Sequence, residues 1–537
     1  MAAVVILLIA FGSVAAMGLP LITAIVGIVI GLAGVTLWAN VVETPDFTTQ
    51  VASMVGIGVG IDYALFIVTR YREVSQRGAS ATEAITESFS TAGRAVAFAG
   101  CTVVISLLGM LVMRVPFLYG LALGTSSAVL VAVLAALTLL PALLGVLGRH
   151  LDRFSVHRRH TTGRETVWHR WSRLVQRHPV QFALSGLIAL LVAGAPVFAM
   201  RLAGADSGND PGASTTRQAY DLLANGFGPG TNGPLIVAIS TPDAASRAAA
   251  ASLPASIASL DDVDHVGPLV LSPSGDAALV QIVPKSSPQA EATADLVAEL
   301  RSTVLPAAGL DAHVGGQTAS DVDFAELMSS RLPVFIGAVL VLSFLLLMAV
   351  FRSVLVPLKA VVMNLLSIGA AYGVMVAVFQ WGWLGGLFGV TAAPIEPWAP
   401  MMLFAIVFGL SMDYEVFLLS SVKERFDATG DNSHAVVEGL ASTARVITAA
   451  AAIMVCVFGS FIVGDLRAIK LIGLGLAVAV LVDATIVRMI LVPATMELLG
   501  RRNWWMPRWL DRVVPHLDVE GPPRRAPEAV AQALVSQ

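Results

Sequence analysis

A polytopic α-helical membrane protein is the fold class this sequence predicts. It has two parallel repeats of transmembrane helices, about 11 spans with the first one partial, and one extracytoplasmic ferredoxin-like α/β domain. Three observations predict it. Of the 537 residues, 56% are hydrophobic and only 13% charged, about half the ~25% typical of soluble domains. Apolar runs long enough to cross a bilayer recur along the chain. One motif occurs twice, in the same direction, far apart in sequence.

The apolar runs place spans at 19–40, 47–69, 93–114, 119–147, 180–200, 333–351, 355–380, 399–421, 444–464 and 468–498. Residues 2–16 form an eleventh run, too short to cross comfortably, and without the basic start and cleavage region of a signal peptide. Loop charge sets the orientation. The segment 148–179 carries Arg149, Arg153, Arg158, Arg159, Arg164, Arg170, Arg173 and Arg177 against Asp152 and Glu165, so it is expected on the cytoplasmic side. The tail with Arg501, Arg502, Arg508 and Arg512 belongs there too. The hydrophilic insertion 202–330, with 15 acidic residues against Arg217, Arg247, Lys285 and Arg301, is expected outside.

Within that insertion a leading helix at 214–225 precedes a strand at 235–239 and a helix at 243–260. Strands near 266–271 and 277–283, a helix at 289–304 and a strand near 311–314 follow. After the leading helix the order is βαββαβ. The chain thus divides into a first repeat (1–147), a basic linker (148–179), a helix opening the second repeat (180–200), the α/β domain (201–331), the second repeat (332–498) and a tail (499–537).

The repeat is exact in register. Gly58-Val59-Gly60-Ile61-Asp62-Tyr63-Ala64-Leu65-Phe66 matches Gly409-Leu410-Ser411-Met412-Asp413-Tyr414-Glu415-Val416-Phe417, and Arg94 matches Arg445. Gly124 matches Gly475, but Pro141 matches Pro493 only after one extra residue in the second copy. Upstream, Phe11-Gly12-Ser13 matches Phe351-Arg352-Ser353. By symmetry the first repeat calls for a preceding helix and a second α/β domain, so the sequence reads as truncated at its N-terminus, either truly or through a start-codon error.

Asp62 and Asp413 stand in apolar spans, about 12 Å from Arg70 and about 15 Å from Lys423 along a helix. Both therefore sit near mid-membrane, where a carboxyl is costly and usually serves a proton or ion path. Tyr63 and Tyr414 can donate to the opposite aspartate, and Gly56, Gly58, Gly60 and Gly409 are expected to let the two helices approach closely. Asp483 and Arg488 form a second buried charge set, five apart and so poor helical neighbours. Like Glu415, whose first-repeat counterpart is Ala64, they are accessory candidates or structural charges. Glu396 and Trp398 are read as markers of the outer interface, and Cys101 and Cys456 as small core residues. His157, His160 and His169 are read as a solvated or headgroup-facing patch. There is no GxxxxGK loop, nucleophile elbow or HExxH pair, so neither an enzyme nor an ATP motor of that type is expected.

These two Asp-Tyr motifs, with Gly500-Arg501-Arg502-Asn503-Trp504-Trp505-Met506-Pro507, resemble the MMPL (mycobacterial membrane protein, large) transporters of the resistance–nodulation–division superfamily over about residues 1–510. The resemblance implies proton-motive-force-driven export of lipids or other hydrophobic small molecules from the bacterial inner membrane. It makes Asp62, Tyr63, Asp413 and Tyr414 the proton relay, Phe66 and Phe417 channel-lining residues, and the α/β domain one of two external porter domains. Protons are the coupling ion and no cofactor is implied. The expected partners are membrane lipids and a hydrophobic substrate, with either a homo-oligomer or a missing N-terminal half, and no nucleic acid. The competing readings are a lipid-binding sensor or scaffold and an inactive fragment of such an exporter.

Overall fold

Lipid offers the backbone no hydrogen bonds, so each apolar run satisfies its own N–H and C=O groups by coiling. The computed structural model describes residues 2–11, 13–148, 167–512 and 514. The first repeat contains α1 (Ala2–Phe11), α2 (Val14–Trp38), α3 (Thr48–Gln76), α4 (Ala81–Ser88), α5 (Arg94–Leu108) and α6 (Pro116–Leu147). Next come α7 (Val167–Arg177) and α8 (Pro179–Gly194). The arginines and histidines expected between Arg149 and Glu165, and the tail beyond Val514, lie outside the described residues.

The α/β domain runs α9 (Thr215–Phe227), β1 (Leu235–Ser240), α10 (Ala244–Ile257), β2 (Val263–Val266), β3 (Val270–Leu271), β4 (Ala277–Pro284), α11 (Glu291–Glu299), α12 (Leu305–Ala307) and β5 (Ala312–Gly315). The second repeat holds α13 (Gln317–Phe351), α14 (Leu355–Met375), α15 (Gly385–Phe388), α16 (Ala399–Thr429), α17 (Asn432–Ser460) and α18 (Arg467–Val482). A π-helix (Asp483–Leu491), α19 (Val492–Leu499) and α20 (Arg508–Asp511) close the described chain.

Ten helices are long and apolar enough to cross a membrane among the described residues. The eleventh run is the 10-residue α1; Ser13 interrupts it and caps α2 by accepting from the Ala16 N–H at 3.5 Å. Several helices outrun the apolar stretches. α16 continues to Thr429 with a Lys423–Asp427 pair at 2.7 Å, and α17 starts at Asn432 on an Asp431 cap. α13 runs unbroken from the α/β domain through Pro333 into the membrane, beginning sixteen residues before the span expected from 333. Hydropathy marks the part of a helix that lipid covers; i,i+4 pairs and caps decide how far it extends.

α3 and α16 are the central helices, 83% and 89% buried over their most apolar windows, whereas α8 is 11% buried. The central α3 and α16 have mean hydropathies of 2.0 and 1.8 against 2.2 for α8, but the composition of a span does not say which of its faces meets another helix. For the same reason the two cysteines are not core residues: Cys101 is exposed on α5 and Cys456 only half-buried on α17.

The sheet order is β2-β4-β1-β5, with β3 also on β4 and every pairing antiparallel. The strand expected at 266–271 divides into β2 and β3 because Gly267-Pro268 lies between them and proline has no N–H for the ladder. Leu235, Val237, Ile239, Val280 and Ile282 face α10 and α11 and form the domain's own core.

The first repeat is packed through small residues. A Cβ placed on Gly31 of α2 meets the Ala128 Cα of α6 at 2.9 Å, while one on Gly18 meets nothing within 4 Å. Gly31→Ala is therefore expected to lower stability by about 1–3 kcal/mol through overpacking, and Gly18→Ala to leave it unchanged. Thermal melting followed by size-exclusion chromatography in detergent checks both.

Candidate functional site

The central helices place both aspartates in the interior; Asp62 is 6% exposed and Asp413 is 9% exposed. Tyr63 Oη of α3 donates to Asp413 Oδ2 of α16 at 2.6 Å, a bond between the two repeats. Thr102 Oγ1 of α5 donates to Asp413 Oδ1 at 2.9 Å, so both oxygens of this carboxyl are engaged. The reciprocal pair is looser. Tyr414 faces Asp62 within hydrogen-bonding reach, but in poorer geometry than the Tyr63–Asp413 bond. Its ring instead carries the Arg488 guanidinium, with Cζ 4.7 Å from the centroid. One turn further along each helix, Phe66 and Phe417 meet edge to face at 4.1 Å and close one side of the Asp-Tyr set.

Thr102 was not foreseen. Threonines are common in apolar helices, and the repeat hides this one because its second-copy counterpart is Ile453.

The expected close approach of α3 and α16 through glycines does not occur. A Cβ on Gly56 meets Ile28 and Ala128, and one on Gly60 meets Ala24 at 3.3 Å. One on Gly58 meets the Phe458 ring at 3.0 Å, and one on Gly409 meets Val103 Cα at 2.9 Å. These glycines admit α2, α6, α17 and α5. Between α3 and α16 the tyrosine side chains need the room.

Asp483 and Arg488 are direct partners despite their spacing. Arg488 Nε donates to Asp483 Oδ2 at 2.8 Å, and Arg488 Nη2 bonds the same oxygen. The π-helix Asp483–Leu491 explains it: i→i+5 bonding brings residues five apart onto one face. The single extra residue that the second copy carries between Gly475 and Pro493 is this widened turn; its first-repeat equivalent, α6, has none. Arg488 also donates to Ser411 O at 2.6 Å, and Ser411 Oγ to Asn364 Oδ1 at 2.6 Å. A cavity of about 10 Å³ opens among Ser411, Tyr414, Asp483 and Arg488, roughly room for one water. Trp171 Nε1 of α7 donates to Met489 O within the π-helix at 2.9 Å.

Glu415 is buried and electrostatically coupled to Lys359 of α14, and neither Glu415 Oε1 nor Lys359 Nζ completes a hydrogen bond. A lysine inside the apolar run 355–380 was a legible signal, missed because Lys359 sits near the end of its span. Aligned on Ser13 and Ser353, the first-repeat counterparts of Lys359 and Asn364 are Leu19 and Ala24; those of Ser411, Glu415 and Asp483 are Gly60, Ala64 and Ala132. The polar network belongs to the second repeat alone.

Three further expectations change. Glu396 is 3% exposed and pairs with Arg467 at 3.1 Å, and Trp398 stacks on Phe47 at 4.3 Å; both are buried parts of the packing. His169 pairs with Glu438 at 3.2 Å while staying partly exposed, and His157 and His160 lie outside the described residues. No cluster able to hold a metal ion occurs among the described residues.

The two tyrosines are thus unequal. Tyr63→Phe is expected to cost about 1–3 kcal/mol by unpairing a buried carboxyl oxygen, while Tyr414→Phe removes a hydroxyl whose bond to Asp62 is only loosely formed and shifts stability less. Melting temperatures of the two variants against wild type decide it.

The sequence model of the MMPL family matches residues 1–182 and 212–517. The chain is similar to membrane protein YdfJ of Bacillus subtilis, 38% identical over 522 residues, covering 97% of this chain and 72% of YdfJ. It is also similar to the mycolic acid-containing lipids exporter MmpL11 of Mycolicibacterium smegmatis, 37% identical over 530 residues, covering 96% of this chain but 56% of that one. In fold it resembles SecDF, a translocon-associated membrane protein from Thermus thermophilus. That match has a TM-score of 0.52 at 14% identity, over 92% of this chain and 61% of SecDF. A family match over most of the chain, and a relative at this identity largely spanned by it, place the polypeptide: it belongs to the MMPL family.

Proposed function

We propose that this chain works as a proton-coupled exporter of lipids or other hydrophobic small molecules, with protons as the coupling ion and no cofactor. The observation that carries the reading is the Tyr63–Asp413 bond between repeats, with Asp62 buried at the matching position. An ionised Asp413 accepts from both Tyr63 and Thr102; a protonated one is itself a donor and needs a different arrangement of neighbours. Loading and unloading a proton therefore biases how α3, α5 and α16 pack, which is what a coupled transporter requires. Asp62, Tyr63, Asp413 and Tyr414 are the relay in this reading. Asp483, Arg488 and Glu415 are accessory charges, and Phe66 with Phe417 limits access to the set.

The name of the M. smegmatis relative as a lipid exporter supports the hydrophobic substrate class. Loop charge supports a plasma-membrane orientation with the α/β domain outside and the C-terminus in the cytoplasm. On this reading, protons entering from the domain side drive substrate outward.

Asp413→Asn keeps the shape of the side chain but cannot carry a proton. It is expected to abolish export while leaving membrane insertion intact. The measurement compares envelope lipids of a deletion strain expressing wild-type or Asp413→Asn chain, with membrane levels checked by immunoblot. Unimpaired export by Asp413→Asn overturns proton coupling, and a lipid profile indifferent to the wild-type chain favours a sensor or an inactive chain.

A further inference from the structure

The two repeats differ most at the connection between their second and third long helices. In the first repeat it is short, residues 39–47, and carries Glu43 and Asp46. In the second it runs from Trp381 to Trp398, and the fifteen residues from Trp381 to Ile395 contain no charge. This loop lies on the α/β-domain side: Ala203 N donates to Ile395 O at 3.1 Å and Ile395 N to Arg201 O at 2.9 Å, joining it to the stem of that domain. Gln380 adds a clamp, its amide donating to Ala199 O at 2.6 Å and accepting from Arg201 N at 2.8 Å.

Despite lying outside the spans, the loop turns its large apolar side chains outward. Trp383, Leu384 and Leu387 are 61%, 66% and 76% exposed, and Trp381 lies 5.5 Å from Trp383. Phe198, beside the Gln380 clamp, is 94% exposed. Four carbonyls of the loop are met by cations of α18. Arg467 Nη2 donates to Ala393 O at 2.8 Å and Pro394 O at 2.9 Å, and Lys470 Nζ to Phe388 O at 3.0 Å and Gly389 O at 3.1 Å. Turn bonds add Trp381 N to Val376 O at 3.0 Å and Trp383 N to Ala377 O at 2.9 Å.

We infer that residues 381–389 form a wedge embedded in the phospholipid leaflet on the α/β-domain side. Trp381, Trp383, Leu384 and Leu387 enter the boundary between headgroups and acyl chains. Three independent features select lipid as the occupant. An uncharged exposed loop is wrong for water, and Lys470 meets the Phe388 and Gly389 carbonyls at the end of the wedge, as a medium poor in hydrogen bonds favours. Paired tryptophans at the end of spans occupy the depth where amphipathic rings partition. The exposed apolar side chains Ile188, Leu191 and Val192 of α8 also lead along the chain to Phe198 beside the patch. Because Ile395 is bonded to Arg201 and Ala203, the embedded wedge fixes the height of the α/β domain above the membrane.

The test uses the full chain with Cys101→Ser and Cys456→Ser, a fluorophore on Leu387→Cys, and nanodiscs of phosphatidylcholine and phosphatidylglycerol. Trp383→Cys serves as a second reporter and Glu43→Cys as the water-facing control. Nitroxide phosphatidylcholine is expected to quench the Leu387 and Trp383 labels about twofold or more over the Glu43 label, and aqueous iodide to quench them less, as for an interfacially buried segment. Iodide quenching equal to that of the Glu43 label overturns the inference in favour of a water-facing loop. Protection from both quenchers overturns it in favour of a protein partner or a second copy.

Discussion

A carboxyl removed from water must be met by donors, and the bundle is organised around meeting that need at Asp413. The donors come from elsewhere in the chain: Tyr63 from the first repeat and Thr102 from the helix that packs along α16. A hydrogen bond at 2.6 Å fixes α3 against α16 in both height and rotation. The remaining helices take positions that keep water away from it. This explains why the two helices with the most polar groups are also the most buried, while helices of plain aliphatic sequence lie at the periphery.

The internal duplication supplies two aspartates but not two equal sites. Asp413 has two donors; Asp62 faces a tyrosine whose hydroxyl approaches it in poorer geometry and whose ring holds Arg488. Arg488 reaches that ring because one inserted residue widens the last span into a π-helix, which also aligns Asp483 with it. Lys359, Asn364, Ser411 and Glu415 then complete a polar network whose first-repeat counterparts are apolar or glycine. One extra residue and the polar side chains of three neighbouring helices make the second repeat the charged half and leave the first a packing half.

Mechanical continuity between membrane and α/β domain runs along two routes. α13 enters the bilayer from the domain without a break at Pro333. On the other side the stem at Arg201–Ala203 is bonded to Ile395, whose loop is pinned by Arg467 and Lys470 on α18. Glu396 fits this scheme as the counter-ion that makes burial of Arg467 tolerable. A rearrangement of the second-repeat helices therefore has direct leverage on the domain.

The sequence by itself determined the class, the number of long spans, the parallel repeat, the βαββαβ order and the Asp62/Tyr63 and Asp413/Tyr414 motifs, because each is written in a local period or a repeated string. It also carried the extra residue before Pro493, although not its consequence. Tertiary structure alone decided which helices are central and which face lipid, since Cys101 and Val103 sit in the same apolar run and point to different surroundings. It alone brought Thr102 to Asp413 and Lys359 towards Glu415, joined Asp483 to Arg488, and buried Glu396. The reason is physical: in lipid every residue of a span is apolar by default, so hydropathy has no contrast between a helix face that meets another helix and one that meets the membrane. Only the partner's position supplies it.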